Sequence, residues 1–388
     1  MLDFGLSPEQ EEFRSTLRSF FAHEAPIDEV IRLDAGESSP SDHYTRMAQL
    51  GLTGLTIPEE HGGADAGEVM VCLATEEVGR ASATLLYYWI PTVTCSRSIA
   101  TFGTSRQQQE LLPAVAAGDL RFALALSEPE AGSDLTGLST RAVADGDHFV
   151  ITGQKVFVTG ADSADLLFVF ARTDPDATTS KALTVFLVPR DAPGVSIQPL
   201  RKLAGQGTHT CEVFLDDVRV SDADVVGEVG GGMAVIRAVL DYERITNGAQ
   251  SIGLAQGAFD LAAAYARERV QFGKPIVEQQ AVGHMLADMA TEIEAARLLV
   301  WRAAWKLEQG LPCSQDASMA KVMGSEVGTR CASRGMQILG GYSYMVEYGM
   351  ERYYREAKLN EIVAGTNEIQ RNILARQIAR AAPVAATH

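Results

Sequence analysis

The feature that most constrains the fold is a change of periodicity in the middle of the chain. From about residue 121 to 225, apolar residues fall in short runs rich in β-branched and aromatic side chains, separated by turn-forming stretches such as 144–147 and 173–176. Runs of this kind are typical of strands. On either side, the apolar residues recur at helical spacing instead. The sequence therefore predicts a small β domain between two helical regions.

Both flanking regions carry signals for helices. Ser7-Pro8-Glu9-Gln10 combines a capping hydroxyl, a proline in the first turn and an amide side chain, which predicts a helix start. Long helical segments follow Gly230-Gly231-Gly232, and such helices bury their apolar stripes only against one another or a partner subunit. These segments are 233–270, 277–309, 314–338 and 367–381. The fold class is α+β, with an N-terminal helical domain at 1–120, a middle antiparallel β domain at 121–228 and a C-terminal four-helix bundle at 229–388.

Charge and cysteine content narrow the possible partners. The chain of 388 residues has 33 basic and 50 acidic side chains, a net charge of −17. This acidity argues against nucleic acid or an anionic membrane as a partner, but a few basic groups suffice for a small anionic ligand. The five cysteines show no CxxC pair and no metal-ligand spacing, so we expect buried packing residues and no metal site. Without a membrane-length apolar run or a signal-peptide layout, we expect a cytoplasmic protein with no membrane insertion.

The chain contains neither a Walker-type GxxxxGK[ST] motif nor a strand-linked GxGxxG motif, so a Rossmann or P-loop nucleotide site is not expected. The segment 128–134 offers another way to hold an anion. Its small residues let backbone N–H groups approach closely, and Ser133 adds a hydroxyl donor. Taken alone, this segment is better read as a surface turn capped by Ser133 and Asp134.

Five segments, in the same order, resemble the signatures of the acyl-CoA dehydrogenase family. They are 122–134 (FALALSEPEAGSD), 155–160 (KVFVTG), 269–273 (RVQFG), 337–341 (QILGG) and 362–370 (IVAGTNEIQ). The resemblance covers essentially the whole chain. It implies the fold of that family, with a β-barrel as middle domain, and FAD as cofactor.

The resemblance also assigns cofactor-binding residues. In the β domain they are Leu124, Leu126, Ser127, Gly132, Ser133, Phe157 and Thr159. In the C-terminal domain they are Arg269, Phe272, Gln280, Gln337, Gly340, Gly341 and Thr366, of which the segments 269–273 and 337–341 are offered to the ADP half of a neighbouring subunit's cofactor. Leu124 stands where the family commonly has Tyr or Phe. Phe157 stands where it commonly has Trp, although Phe157 still offers an aromatic face.

These assignments have simpler alternatives. Arg269 reads equally as a solvated arginine at a helix end, the segment 337–341 as a helix C-cap, and Thr366 as an N-cap. If their segment stays helical, Arg269 and Phe272 share a face and pack against each other.

Ala364 stands where the family often has the glutamate that removes the α-proton of the substrate, and alanine cannot accept a proton. Glu243, in the stretch Leu240-Asp241-Tyr242-Glu243-Arg244, matches the place where the isovaleryl-type branch keeps its base. The resemblance implies that Glu243 lies in an apolar pocket, which raises the pKa of its carboxyl group, and removes the α-proton of the substrate. The β-hydride is transferred to flavin N5. The backbone N–H of Ala364 and a ribityl hydroxyl then stabilise the enolate oxygen. For an isolated pair, Glu243 and Arg244 read as exposed helix residues.

The function implied is that of an FAD-dependent acyl-CoA dehydrogenase of fatty acid metabolism, acting on a short or branched acyl thioester. Ser133, Asp241 and Arg244 are assigned to the substrate. The expected acceptor is an electron-transfer flavoprotein or a similar protein, and the expected assembly is a homotetramer.

Other readings stay open at this point. They are a dehydrogenase acting on a carrier-protein thioester in secondary metabolism, an oxygen-using flavin oxidase or monooxygenase, and a non-catalytic flavin- or thioester-binding subunit of a hetero-oligomer. Acyl length, branching, the choice of coenzyme A or carrier protein, and the acceptor are not fixed by the sequence.

Overall fold

The computed structural model describes residues 5–174 and 181–380. Residues 6–240 form one compact unit, and the residues from Asp241 onward belong to a second, so each unit is described by itself. The division falls inside one long helix.

The first unit begins with six helices. They are α1 (Pro8–Glu24), α2 (Ile27–Ala35), α3 (Ser41–Gln49), α4 (Glu68–Ala81), α5 (Ala83–Phe102) and α6 (Ser105–Ala117). The capping box predicted at the start of α1 is present, because Ser7 and Gln10 each bond the backbone N–H of the other. Thr104 and Gln107 form the same arrangement at the start of α6. The helix ends at Gly118, whose φ of 83° is accessible to glycine at little cost.

A mixed sheet follows the six helices. Its strands are β1 (Phe122–Ala125), β2 (Arg141–Asp145), β3 (His148–Thr159), β4 (Leu166–Arg172), β5 (Leu183–Pro189), β6 (Val195–Leu200), β7 (Thr210–Ser221) and β8 (Val225–Val226). The strand order is β6-β7-β3-β2-β4-β5-β8, and β1 pairs with β4. The predicted sheet was antiparallel, but β4 runs parallel to both β1 and β2. Neither neighbour is joined to β4 by a hairpin, because β3 lies between β2 and β4 in the chain, and β2 and β3 lie between β1 and β4.

Buried apolar side chains of the first unit form two clusters that fix the sheet. One cluster contains Phe149, Phe186 and Val213 together with small residues of β1 and β4. The other joins Phe168 and Phe170 to apolar residues of α5 and α6 and of the helix that follows the sheet. Burial of this extent is the main favourable contribution to folding. It holds the β1–β3 region, where the predicted flavin residues lie, on a rigid base.

The second unit contains most of a long helix and the four helices after it. The elements are α7 (Gly232–Glu268), β9 (Val270–Gln271), β10 (Lys274–Pro275), α8 (Gln280–Glu308), α9 (Ser314–Leu339), α10 (Met350–Asn360) and α11 (Asn367–Arg380). Helices α7 and α9 approach closely where glycines meet, since a Cβ on Gly324 would lie 2.9 Å from the carbonyl oxygen of Gly248. The predicted four long helices are present, and α10 is an additional short one.

One local prediction was wrong. The stretch after Arg269 is not helical, because α7 ends at Glu268 and β9 and β10 form a two-residue hairpin. Phe272 and Gly273 form its turn with φ values of 54° and 78°, as a type I′ turn requires. Arg269 and Phe272 therefore share no helix face, and the Phe272 side chain is 95% exposed.

Three further observations concern ligands and environment. All five cysteines are buried. Within residues 5–174 and 181–380, no group of three or more His, Cys, Asp or Glu side chains is placed to hold a metal ion. None of the helices in those ranges combines the length and hydropathy needed to span a bilayer.

Candidate active site

The loop between β1 and β2 is pinned to β3 by a buried ion pair. The Lys155 Nζ donates to Glu128 Oε1 at 2.8 Å and to the Leu126 carbonyl at 3.1 Å. Glu128 also accepts hydrogen bonds from the backbone N–H groups of Ser139 (2.6 Å) and Thr140 (3.0 Å). Burial alone would raise the pKa of Glu128, but Lys155 and these donors outweigh burial and hold the pKa at about 2. The pair is therefore ionised at neutral pH and fixes both ends of the loop.

Between those anchors, the turn from Ala131 to Asp134 presents free backbone donors. The N–H groups of Gly132, Ser133 and Asp134 have no hydrogen-bond partner within the described ranges. Gly132 and Ser133 are exposed, and a Cβ on Gly132 would meet nothing within 4 Å. The Asp134 carboxylate accepts from the Thr136 N–H and hydroxyl, so it stabilises the turn as the simpler reading expected. Consecutive free N–H groups on an exposed turn suit a phosphate.

An irregularity in β3 exposes an aromatic ring beside this loop. The pairing of β3 with β7 shifts register between Lys155 and Val158, and Phe157, at φ 59°, lies in that bulge. Its ring is 69% exposed. The Val156 N–H donates to the Ser127 carbonyl at 2.9 Å, which places Ser127 next to the bulge. Strained backbone at an exposed aromatic is a pattern found at ligand sites.

The remaining flavin residues predicted in the β domain lie on β1, directly after β1 and at the end of β3. Leu124 and Leu126 are partly buried and pack against the second apolar cluster. Thr159 is half-buried at the end of β3, where it pairs with Thr210 of β7. The structure thus places Leu126 and Ser127 next to β3 through the Lys155 and Val156 hydrogen bonds, whereas Gly132 and Ser133 lie on the exposed turn that follows.

In the second unit, Arg269 and the glycines after α9 line a cleft of about 460 Å³. The Arg269 guanidinium lies 5.5 Å from the ring centroid of Tyr342. Gly340, with φ 61°, caps α9 through its own N–H as the simpler reading expected, and its surroundings and those of Gly341 are open. Of the other two predicted residues, Gln337 is exposed on the last turn of α9, and Gln280 is exposed at the start of α8.

The Glu243 side chain is half-buried on α7 and its carboxylate has no hydrogen bond or ion pair within the described ranges. Burial raises the pKa of Glu243 to about 7, although the neighbouring Arg244 opposes the rise. Arg244 is buried and donates to Asp241 at 2.7 Å, and its Nε has no partner among the described residues. Glu243 and Arg244 are therefore not the exposed pair of the simpler reading.

The loop from α10 to α11 holds Ala364 in a left-handed conformation with φ 55°. The Gln370 Nε2 donates to the carbonyls of Ala364 (3.2 Å) and Gly365 (3.0 Å). The Ala364 N–H has no partner in the described part of the chain. Thr366 caps α11 by accepting from the Ile369 N–H, and Glu368 is exposed in the first helical turn. The geometry leaves a fixed, available N–H at position 364.

Sequence reasoning missed Glu128, Lys155 and Lys321 as residues that shape these sites. Lys321 is fully buried on α9 and bonds the ends of the 361–367 loop. A signal did exist, because Lys321 interrupts a run of small residues on a helix whose neighbours Ala317 and Ala320 are buried. A lysine is almost never fully buried unless it has partners.

Models of three domains match the chain. They are the N-terminal domain of acyl-CoA dehydrogenase at residues 7–119, the middle domain at 123–218 and the C-terminal domain at 230–379. The chain belongs to the acyl-CoA dehydrogenase family. The predicted family, its fold, its oxidoreductase class and FAD as its cofactor are confirmed by the comparisons.

Individual relatives agree over nearly their whole length. The chain is 39% identical to a probable acyl-CoA dehydrogenase of Bacillus subtilis, over 97% of this chain and 100% of the relative. The structure of butyryl-CoA dehydrogenase from Megasphaera elsdenii superimposes with a TM-score of 0.93 at 33% identity, covering 98% of this chain and all of the other. A prolyl acyl carrier protein oxidase has a TM-score of 0.91 at 29% identity, covering 96% of this chain and all of the other.

Proposed function

We propose that this protein dehydrogenates an acyl thioester between its α and β carbons, with Glu243 as the base. The observation that carries the proposal is the Glu243 carboxylate, which has no hydrogen bond or ion pair with any other described residue and has a pKa raised by burial to about 7. A base whose pKa lies near the working pH combines ionisation with proton affinity. Ala364 provides no competing base.

The chain supplies two chemical functions to the substrate. Glu243 takes the proton from the α carbon, so negative charge develops on the thioester carbonyl oxygen. The unpartnered Ala364 N–H then donates to that oxygen, as in an oxyanion hole. Bound FAD supplies the oxidant that accepts the β-hydride. Asp241 and Arg244 are proposed to shape the electrostatics around the substrate, since their ion pair lies beside Glu243.

Features of both units suit the cofactor. In the first unit, the free N–H groups at 132–134 suit a pyrophosphate, and Phe157 offers an exposed ring face beside Ser127 and Thr159. In the second unit, Arg269 and the open glycines at 340–341 suit a phosphate-containing group approaching from outside. By resemblance, that group is the ADP half of a neighbouring subunit's cofactor, to which Phe272 and Gln337 also contribute. Gln280 is proposed to bind the cofactor as well, and Thr366 to donate to the flavin.

We further propose a cytoplasmic homotetramer that acts in fatty acid metabolism and passes electrons to an electron-transfer flavoprotein or similar acceptor. Exposed aromatic side chains support an assembly, because Phe272 is 95% exposed and Tyr344 is 77% exposed. Aromatic residues are enriched in interfaces.

The substrate is proposed to be a short or branched acyl group on coenzyme A, which agrees with the butyryl-CoA dehydrogenase relationship. A carrier-protein thioester is the second candidate, favoured by the similarity to the prolyl acyl carrier protein oxidase. The non-catalytic reading is disfavoured by the retained Glu243 carboxylate, which has no partner among the described residues.

Anaerobic reduction of the bound flavin tests the proposal. Wild-type protein is mixed with a panel of acyl-CoA and acyl-carrier-protein thioesters, and the loss of flavin absorbance is followed. Glu243→Gln is expected to slow reduction by about 10²–10⁴-fold while flavin stays bound, because the general base is gone. The matched control is Glu368→Gln, an exposed glutamate of the neighbouring segment, which is expected to reduce at the wild-type rate. Reduction of Glu243→Gln at the wild-type rate would reject the assignment.

A further inference from the structure

The loop that carries Ala364 is held by one polar face of α9. Ser318, Lys321, Ser325 and Thr329 follow one another at intervals of three or four residues, so they line one side of the helix. All four contact the segment 361–370. Within the described ranges, no other helix contributes so many side chains to this loop. The face is referred to below as the α9 polar face.

Lys321 lies at the centre of the α9 polar face. Its Nζ donates to the carbonyl of Glu361 at 3.1 Å and to the Asn367 Oδ1 at 2.7 Å. Ser325 donates to the same Asn367 oxygen at 3.0 Å, and the Asn367 N–H donates to the Glu361 carbonyl at 3.0 Å. Lys321 therefore joins the first residue after α10 to the first residue of α11.

The position of Ala364 follows from those two anchors. Ser318 donates to the Gln370 Oε1 at 3.0 Å and orients that amide, whose Nε2 holds the carbonyls of Ala364 and Gly365. Both ends of the loop and the carbonyls of Ala364 and Gly365 are therefore held, while the Ala364 N–H has no partner among the described residues. A left-handed φ at an alanine is strained and persists only where neighbouring groups hold the backbone in place.

Burying a charged lysine side chain is energetically unfavourable. Lys321 is fully buried, and its hydrogen-bond partners are neutral oxygens with no carboxylate within ion-pair distance among the described residues. Burial lowers its pKa to about 8, opposed by the charges of Glu361, Glu368 and Glu326, while Arg244 adds to the lowering. Replacing a buried ionic group by an apolar side chain of similar size is often neutral or stabilising, so packing alone does not explain a lysine here.

The same helix also packs against the helix that carries Glu243. At the α7–α9 crossing, a Cβ on Gly248 would lie 3.1 Å from the carbonyl oxygen of Ala320, the residue before Lys321. Glu243 is five residues before Gly248, slightly more than one helical turn away. One short segment of α9 thus supports both the base-bearing helix and the loop that carries the N–H donor.

We propose that Lys321 is a positioning residue that sets the Ala364 N–H against the enolate oxygen of the bound thioester. This inference rests on the proposed function. Lys321 touches neither substrate nor cofactor in this account. It acts through Asn367 and the Glu361 carbonyl, and its loss is expected to weaken stabilisation of the enolate more than binding of the substrate.

Two measurements on the FAD-loaded protein test Lys321→Met, which keeps the approximate shape and removes the donor. The first is hydrogen–deuterium exchange of the peptide covering 361–370, expected to quicken about tenfold or more. The second is a pH titration of bound acetoacetyl-CoA, whose enolate is detected by its ultraviolet absorbance. The pH midpoint of its enolisation when bound is expected to rise by about one pH unit, with a similar tenfold fall in kcat and little change in KM.

The matched control is Lys358→Met. Lys358 is exposed and also contacts Glu361, but it donates to the carboxylate at 2.6 Å and not to the carbonyl or to Asn367. It is expected to leave kcat and the enolisation midpoint at wild-type values. If Lys321→Met does not fold, Ser325→Ala removes one of the two donors to Asn367 and is expected to shift both readouts in the same direction by less.

The outcomes separate this inference from the proposed function. Unchanged exchange of the 361–370 peptide in Lys321→Met overturns the inference whatever the enzyme does. Faster exchange with a wild-type enolisation midpoint also overturns it, because Lys321 would then be a structural residue only. If the wild type itself neither reduces its flavin with thioesters nor enolises acetoacetyl-CoA, the proposed function fails, and the exchange measurement still decides whether Lys321 fixes the loop.

Discussion

At the scale of single residues, the chemistry depends on carboxylates in contrasting surroundings. Glu128 is buried beside Lys155 and stays ionised, with its pKa held at about 2. Glu243 is half-buried and has no hydrogen-bonded partner for its carboxylate among the described residues, and its pKa is raised to about 7. Environments that push carboxyl pKa values apart separate a structural anion from a base.

The raised pKa of Glu243 makes a prediction about stability. The folded protein holds this proton up to about pH 7, whereas the glutamate of the unfolded chain, with its ordinary pKa of 4.5, releases it at lower pH. The stability of the wild type should therefore fall between pH 4.5 and 7 relative to Glu243→Gln, and the difference should stay constant above pH 7. The variant is expected to be more stable at pH 8 by at most about 3 kcal/mol. Urea unfolding at pH 4.5 and pH 8 measures this; equal differences at the two pH values would contradict a raised pKa.

At the scale of elements, a bulge in β3 and the loop after β1 form the proposed flavin surface, and the Glu128–Lys155 pair joins them. Glu128→Gln leaves a buried ammonium without its counter-ion, which costs about 3–5 kcal/mol in comparable cases. We expect lower stability and also weaker FAD retention, since the 129–137 loop loses its anchor.

Thermal unfolding and the FAD content after gel filtration measure those two effects. Glu130→Gln is the control, because Glu130 is exposed in the same loop and is expected to behave as wild type. A Glu128→Gln protein that keeps wild-type stability and FAD content would show that the ion pair does not organise this loop.

Local sequence patterns predicted most of the helices and strands, because helix and strand periodicity depends on residues that are close in sequence. The capping signal at Ser7 and the β-branched runs of β4 and β5 are examples. The hairpin at 270–275 was not predicted because Phe272 in a left-handed turn is unusual for a bulky residue. The short helix α10 was also missed, since its sequence is largely charged and aromatic and has only a narrow apolar face.

The candidate site was only partly readable from sequence. Ala364 and Glu243 stood out through a family resemblance, not through spacing, because 121 positions separate them (364 − 243). Lys321 did not stand out, since its partners Glu361 and Asn367 become neighbours only when α9 packs against the 361–367 loop. Polar groups whose partners are distant in sequence need the three-dimensional structure.

At the scale of the whole molecule, the cofactor-binding features occur in two sets. One lies in the first unit around Phe157, and the other lines the cleft at Arg269 in the second unit. The proposed homotetramer gives the second set a role, because each cleft would meet a neighbouring subunit's cofactor. Sedimentation of the FAD-loaded protein is expected to give a tetramer, and a monomer that keeps its FAD at micromolar concentration would contradict this assembly.

The central claim is that Glu243 removes the α-proton, and it is tested most directly by separating that step from oxidation. 3,3-Dimethylbutyryl-CoA has α-hydrogens but no β-hydrogen, so it undergoes proton exchange without dehydrogenation. In deuterium oxide, wild-type protein and Glu368→Gln are expected to incorporate deuterium at the α carbon, at a rate that rises with pH around 7 as Glu243 ionises. Glu243→Gln is expected to lose this exchange by at least about a hundredfold, as measured by mass spectrometry. Exchange by Glu243→Gln at the wild-type rate would contradict the account.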